Sequence, residues 1–310
     1  MKNNLPKIIC IVGPTASGKT ALGILLAKKF NGEIVNADSR QVYKEMNIAT
    51  AKPISDINNH KKNEFTSQGI VHHLIDFIKP SERFTLSDFK EQANLAITDI
   101  LSRGKLPIVV GGTGLYIWSL VDNIDIPKIK PNTNLRNSFD LKTLDELVKL
   151  LKNIDQETAK KIDLKNRRRV LRALEVTISS GESFIVQTTK SLPLYTTLQI
   201  GIKCNREKLY QNINSRVDLQ MQAGLIEETK KLAQKYSWDL PSMSSIGYKQ
   251  IGNYLRGEMS LEEAVELFKR DTRRYGKRQE TWFKRDKRIV WISAEDLKNV
   301  QKLIAEFIFS

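Results

Sequence analysis

Apolar residues along this chain follow two periods in turn, one of strands and one of helices. Ile8-Ile9-Cys10-Ile11-Val12 is an unbroken, mostly β-branched run, the pattern of a strand covered on both faces in a parallel sheet. Ala21, Leu22, Leu25, Leu26 and Phe30 then recur at helical spacing, and Gly32 stands where that helix would stop. Glu33-Ile34-Val35-Asn36-Ala37 predicts a second strand, and Leu74-Ile75-Asp76-Phe77-Ile78 a short third one closed by Pro80. Between them residues 44–70 are polar and irregular, with Lys52-Pro53 and Asn58-Asn59, and predict a surface loop with at most a short helix. Thr85, with Asp88 three residues on, predicts a capping box opening a helix through Leu86, Phe89, Ala93, Leu95, Ala96 and Ile100, stopped by Gly104. Leu106 to Val110 predicts the next buried strand. The order β-α-β-β-α-β reads as an α/β protein with an open parallel sheet.

Beyond about residue 120 the texture changes. Ile126-Pro127 and Lys130-Pro131 mark a linker, and from Thr143 to Ser180 the apolar spacing is helical: Leu144, Leu147, Val148, Leu151, Ile162, then Val170, Leu171, Leu174, Val176 and Ile178, with Gly181 as the stop. Leu198 to Ile202 returns to strand. Asn205 is placed to cap a helix over Leu209, Ile213, Val217, Leu219 and Met221 that Gly224 closes, and Ile226 to Tyr236 predicts another. Ser260 with Glu263 opens a long helix, Ile289 to Ile292 reads as a last strand, and 295–309 as a last helix. The expected organisation is a core of 1–120 and 191–310 around an α-helical insert, 121–190.

The first strand and helix flank Gly13-Pro14-Thr15-Ala16-Ser17-Gly18-Lys19-Thr20, which fits G-x-x-x-x-G-K-[ST]. Such a loop aims backbone N–H groups and a helix dipole at a phosphate chain, while Lys19 adds a full charge and Thr20 a hydroxyl for Mg²⁺. No Asn-Lys-x-Asp guanine signature accompanies it, and no later strand ends in the magnesium-holding Asp of a motor or switch NTPase. Asp38 follows the second strand and faces the same sheet edge. From position it is a general base, a magnesium ligand or a helix cap. Gln41, beside Arg40, carries a donor and an acceptor suited to a base edge, or is an exposed turn residue. Gly112-Thr113-Gly114 forms a second glycine turn at that edge. Arg216, on the helix after the returning strand, is placed to close over the phosphates, and Asp218, two residues on, does not face it.

Charge then narrows the partner. Lys+Arg number 50 against Asp+Glu 35, a net charge of +15 in 310 residues. That excess suits a polyanion, nucleic acid before membrane surface. In Arg167-Arg168-Arg169-Val170-Leu171-Arg172 the charges straddle core positions, and in the long helix Arg270, Arg273, Lys277 and Lys284 make one stripe beside Phe268, Tyr275 and Trp282. Cations beside aromatics suit an RNA backbone with unstacked bases, with Phe268 the one assigned to the core. Cys10 and Cys204 are the only cysteines and His60, His72 and His73 the only histidines, too few for a zinc site or disulfide framework. With no signal-length apolar segment and no run near the ~18 residues of a span, the chain is expected to be cytoplasmic and not membrane-bound. Nothing in it demands more than a monomer.

Together these stretches resemble the tRNA dimethylallyltransferase (tRNA isopentenyltransferase) family, in its bacterial form without the eukaryotic zinc finger. The matching pieces are GPTASGKT (13–20), ADSRQVY (37–43), GGTGLY (111–116), RRVLRALEV (168–176), the Arg216 helix with QAGLIEE (222–228), SIGYKQ (245–250) and KRQETWF (277–283), in family order. The resemblance implies a fold like that of P-loop kinases with a helical insertion. It further implies that the loop holds dimethylallyl diphosphate, and that the acceptor is the exocyclic amine of the adenosine 3′ of the anticodon, flipped out of its stack. In that scheme Asp38 takes the amine proton, while Lys19, Arg216 and a Mg²⁺ at Thr20 neutralise the departing diphosphate. Asp38, Ser39, Arg40, Gln41, Thr113, Arg136, Arg168, Arg169, Val170, Leu171, Arg172, Ser245, Ile246, Gly247, Tyr248, Lys249, Gln250, Lys277, Arg278, Gln279 and Trp282 match positions that contact the anticodon stem-loop. Gly114 stands where the family commonly has a larger residue and is expected to loosen the channel wall, and 121–165 matches only in helical character. The rival readings are a P-loop small-molecule kinase and a non-catalytic RNA-binding protein.

Overall fold

The computed structural model describes residues 5–56, 64–127, 129, 132–293 and 295–310. His60, Asn58-Asn59 and Lys130-Pro131 lie outside them. Seven strands, β1 (Lys7–Val12), β2 (Gly32–Asn36), β3 (Phe65–Ser67), β4 (Ile70–His73), β5 (Leu106–Gly111), β6 (Thr196–Lys203) and β7 (Val290–Ser293), form one sheet in the order β3-β4-β2-β5-β1-β6-β7. Every neighbouring pair is parallel except β3 with β4. β1 lies between β5 and β6, Ile9 facing Ile108 on one side and Leu198 on the other, and Ile8 to Val12 are fully buried as their unbroken run requires.

Helices α1 (Lys19–Lys29), α2 (Leu86–Ser102) and α3 (Gly114–Val121) follow the first strands. Thr85 and Asp88 close the capping box ahead of α2, an arrangement worth about 1 kcal/mol. The 118–193 region carries α4 (Thr133–Asp140), α5 (Leu144–Ile154), α6 (Gln156–Lys161) and α7 (Arg167–Ser180). The return half adds α8 (Arg206–Gln222), α9 (Leu225–Lys235), α10 (Tyr248–Leu255), α11 (Leu261–Phe283) and α12 (Leu297–Phe309). Asn205 and Ser260 cap α8 and α11, and Gly181 and Gly224 stand at φ 74° and 91° at helix ends, the left-handed backbone glycine tolerates. Leu22 and Leu26 of α1 pack on Ile9, Ile34 and Ile108, with Val300 and Ile304 of α12 in the same core. No described helix is long and apolar enough to cross a membrane.

The expected strand at Leu74–Ile78 is absent. Leu74 and Asp76 stand at φ 59° and 54°, left-handed backbone that cannot continue a ladder, and only Ile78 keeps a single parallel bridge, to Tyr43. The strand runs four residues earlier, through His72 and His73, and pairs antiparallel with β3 in the stretch expected as loop. Two histidines hid it. His73 is accommodated because Glu33, 3% exposed, sits 2.7 Å from its Nε2 and also takes Arg103 and Lys105.

The chain divides into two compact units, Met1–Ile117 with Leu194–Ser310, and Trp118–Pro193, so the insert starts and ends three residues outside the expected 121–190. Within it, Phe139, Leu147, Leu151, Val170, Ala173 and Leu174 make a separate core. Glu175, buried on α7, accepts from Arg136 Nε at 2.9 Å, Arg172 Nη1 at 2.6 Å and the Asn132 N–H at 2.7 Å.

Candidate active site

Between β1 and α1 the backbone curls through Gly13 at φ 146°, Ala16 at 60° and Gly18 at 90°, turning residues 13–20 around a cavity of about 590 Å³. Gly18 caps α1 without a side-chain bond, and no acid occupies the first turn, which leaves the helix's first N–H groups for an anion. Lys19 Nζ donates to the Pro14 carbonyl at 2.5 Å, Arg216 Nη1 to Thr15 Oγ1 at 3.1 Å, and Asn212 Nδ2 to the Ala16 carbonyl at 3.4 Å. The buried Ser17 Oγ has no partner among the described residues, which a phosphate oxygen would supply.

The electrostatics ask for that anion. Lys19, Arg40, Arg216 and Arg278 line the cavity against one carboxylate, Asp38, among the described residues. Burial pushes the Lys19 ammonium down to about 7, with Asp38 opposing and Arg216 adding to the fall. Burial also lowers the Arg216 guanidinium, again against Asp38. Asp218 is turned away to Lys269, 2.8 Å off.

Asp38 ends the second strand's run on the cavity wall, where Oδ1 accepts the Arg40 N–H at 2.9 Å. A turn follows it rather than a helix, so the helix-cap alternative falls and the base and ligand alternatives stand. Thr113 clips this turn: its N–H donates to the Ala37 carbonyl at 3.1 Å, and its Oγ1 accepts the Ser39 N–H at 3.0 Å. Thr20 lines the same cavity, and no group of three His, Cys, Asp or Glu side chains is assembled among the described residues. The Thr20 hydroxyl with Asp38 suits a hard cation that arrives with phosphate oxygens and water rather than one held in a protein cage.

The second glycine turn serves neighbours more than ligands. A Cβ at Gly111 would lie 2.1 Å from the Ala37 carbonyl, one at Gly112 2.1 Å from Gln279 Nε2, and one at Gly114 2.1 Å from Trp282 Cδ1. Gly114 therefore does not loosen the wall, because the Trp282 indole fills its place.

The residues expected to contact tRNA divide sharply. Ser39, Arg40, Gln41, Ser245, Ile246 and Arg278 line the cavity, while Arg168, Arg169, Lys249 and Lys277 are exposed. Gln41 does not offer its amide donors to a base, since Nε2 donates to the Thr50 and Ala51 carbonyls, and Arg40 Nη1 holds the Pro241 carbonyl at 2.8 Å. Val170 is wholly buried and the half-buried Leu171 packs beside it, so apolar side chains at the inner positions of α7 build the insert's own core. Arg136 and Arg172 are tied to Glu175. Tyr248 is wholly buried with its hydroxyl on Glu228 at 2.5 Å, and Gln250 takes the Gly247 N–H at 2.8 Å and donates to Asp271 at 2.9 Å. Gln279 is buried between Thr15 and Gly112. On α11, Arg270 and Arg274 pair with Asp271, Arg273 donates to Asn214, and Lys284 pairs with Glu280, so the expected stripe is in part neutralised. Phe268 is core and also lines the cavity, as does Tyr275 under Arg278, whose guanidinium is 5.8 Å from its ring centroid.

His72 escaped the sequence reading, which weighed histidines only as zinc ligands. It is buried on the cavity wall with Nε2 lacking a partner among the described residues, and burial pulls its pKa to about 4, so it stays neutral. A polar residue inside an otherwise apolar strand was the available signal.

Comparison with known proteins points one way. The IPP transferase family matches residues 41–286. A tRNA dimethylallyltransferase of Acetivibrio thermocellus is 44% identical over 97% of this chain and 96% of its own, and one of Carboxydothermus hydrogenoformans 43% over 97% of each. Among solved structures, the tRNA isopentenylpyrophosphate transferase of Bacillus halodurans is 37% identical with a TM-score of 0.70, over 97% of this chain and 96% of that one. A eukaryotic dimethylallyltransferase acting on tRNA is 31% identical with a TM-score of 0.78, over 94% of this chain and 75% of that one.

Proposed function

Since the chain belongs to the IPP transferase family, its reaction is dimethylallyl transfer to tRNA, and we propose that Asp38, Lys19, Thr20 and Arg216 carry it out on the exocyclic N6 amine of the adenosine 3′-adjacent to the anticodon. The observation that carries this assignment is the cavity that brings the phosphate loop, two half-buried cations and one carboxylate together.

Dimethylallyl diphosphate seats its phosphates on the N–H groups of the loop between Lys19 and Arg216. The adenine amine, extruded from the anticodon loop, enters beside Asp38. Its nitrogen lone pair forms the bond to C1 of the donor as the C1–O bond breaks, and the diphosphate departs with that electron pair. The N6 proton passes to the Asp38 carboxylate. Charge grows on the leaving oxygens, and Lys19, Arg216 and the first N–H groups of α1 neutralise it from the wall of the cavity they line. Thr20 would hold Mg²⁺, which would supply further neutralisation of the leaving group. Arg278 and the exposed Lys277 on α11, and Arg168 and Arg169 on the insert, supply cations for the tRNA backbone. Two unpaired cysteines suit the reducing cytoplasm in which such a monomer would work.

The test is direct. Purified protein is incubated with Mg²⁺, dimethylallyl diphosphate and unmodified tRNA, and the digested tRNA is searched for N6-prenylated adenosine by mass spectrometry, beside a tube with ATP in place of the donor. Prenylated adenosine in the first tube alone is expected, and Asp38→Asn should lose at least about 10²-fold in single-turnover rate while tRNA binding persists. Nucleotide turnover without prenylation would make this a kinase, and an unimpaired Asp38→Asn would remove the base assignment.

A further inference from the structure

The Gln279 side chain is turned inward from α11 and makes two bonds in opposite directions. Its Oε1 accepts the Thr15 N–H at 2.7 Å, and its Nε2 donates to the Gly112 carbonyl at 2.9 Å. On one side Thr15 presents Oγ1 to the half-buried Arg216 guanidinium, so this amide bonds the segment of the phosphate loop that Arg216 also holds. On the other side Gly112 leads into Thr113, which holds Ala37 and Ser39 on either flank of Asp38. Tyr275, one helical turn earlier on the same helix, lines the cavity beside it. One face of α11 thus reaches both the diphosphate cradle and the turn that carries the carboxylate.

We propose that Gln279 is a positioning residue that sets the separation between Asp38 and the diphosphate cradle, a role that rests on Asp38 being the base. Transfer requires the amine nitrogen, C1 and the leaving oxygen in line, with the carboxylate in reach of the amine proton. An error of about 1 Å in such an arrangement costs about 10²-fold in rate. Only a side chain with a donor and an acceptor at its tip makes both bonds: a carboxylate lacks the donor, an ammonium lacks the acceptor and a thioether offers neither in strength. The demand extends to its partner, because a Cβ at residue 112 would lie 2.1 Å from Nε2. Buried at 5% exposure, the amide has no water to replace a lost partner.

A double-mutant cycle with Asp38 separates positioning from mere support of the fold. Gln279→Glu keeps the acceptor for Thr15 but sets an oxygen against the Gly112 carbonyl, and Gln279→Met removes both bonds at similar volume. Single-turnover transfer and the Kd of dimethylallyl diphosphate are measured for each, alone and in the Asp38→Asn background, below the Tm of every variant. Gln279→Glu should lower the rate about 30- to 100-fold with donor Kd changed less than about threefold, and should change the residual rate of Asp38→Asn less than about twofold. Should Gln279→Glu not fold, Gln279→Met is read through the same cycle, with the same cancellation expected. A wild-type rate in both Gln279 variants, or equal fold-losses in the two backgrounds, overturns the proposal. A wild-type rate in Asp38→Asn alone instead removes the base assignment beneath it.

Discussion

Lys19 is held between burial and Arg216, which push its proton off, and Asp38, which keeps it on; burial wins and brings the pKa to about 7. A diphosphate bound against it favours the ammonium and raises that pKa. Above pH 7 binding must therefore take up a proton, and affinity falls as pH rises; below pH 7 the ammonium is already formed and this dependence vanishes. Calorimetry of diphosphate binding at pH 8, in buffers of different ionisation enthalpy, should show an uptake near one proton beyond the ligand's own, lost in Lys19→Met. Equal uptake in both proteins would contradict the assignment. The phosphate loop was legible because its eight residues are contiguous, whereas the Gln279 bond that steadies it joins residues 264 apart and leaves no local trace. Gly111, Gly112 and Gly114 show the same limit. The motif is plain in the sequence, but its cause is three separate neighbours that only the fold delivers.

At the scale of elements, α7 and α11 each present charge on a helix whose other face is core. On α7 the apolar spacing correctly foretold an inner face, while Arg172 of α7 and Arg136 of α4 both pair with Glu175. Their pull holds the Glu175 carboxyl below its ordinary range despite burial. Removing that acid leaves two guanidinium groups and the Asn132 N–H without their acceptor, so Glu175→Ala should cost about 3 kcal/mol of insert stability, read from chemical denaturation. Arg168→Ala and Arg169→Ala, on the exposed face, should leave stability within about 0.5 kcal/mol of wild type. Equal destabilisation by all three would mean that the face assignment on α7 is wrong. On α11 part of the pairing is local in the sequence, with Asp271 three residues from Arg274 and Glu280 four from Lys284, whereas the bond from Arg273 to Asn214 on α8 needs the fold.

Across the whole molecule the net charge of +15 belongs with a polyanionic substrate, and the affinity for tRNA should be carried largely by phosphate contacts. The logarithm of tRNA affinity should fall linearly with the logarithm of salt, by about 0.7 to 0.9 for each phosphate neutralised. Arg168→Ala or Lys277→Ala should each reduce that slope by about one contact without changing donor affinity, measured by filter binding across a salt series. A flat response would deny these surfaces a part in docking.

By itself the sequence determined what depends on neighbours along the chain. The first strand and helix, the capping boxes at Thr85 and Ser260, the phosphate loop and the placing of Asp38 at a strand end all follow from local spacing and local hydrogen bonds. The tertiary structure alone decided which polar groups are spent inside the protein. Gln279, Arg172, Tyr248 and Gln250 look from their composition like surface for RNA, but each satisfies a backbone group or a carboxylate distant in sequence. The physical reason is that a buried donor or acceptor must find a partner wherever the fold supplies one. That pairing is a property of three-dimensional neighbours, which periodicity and motif do not encode.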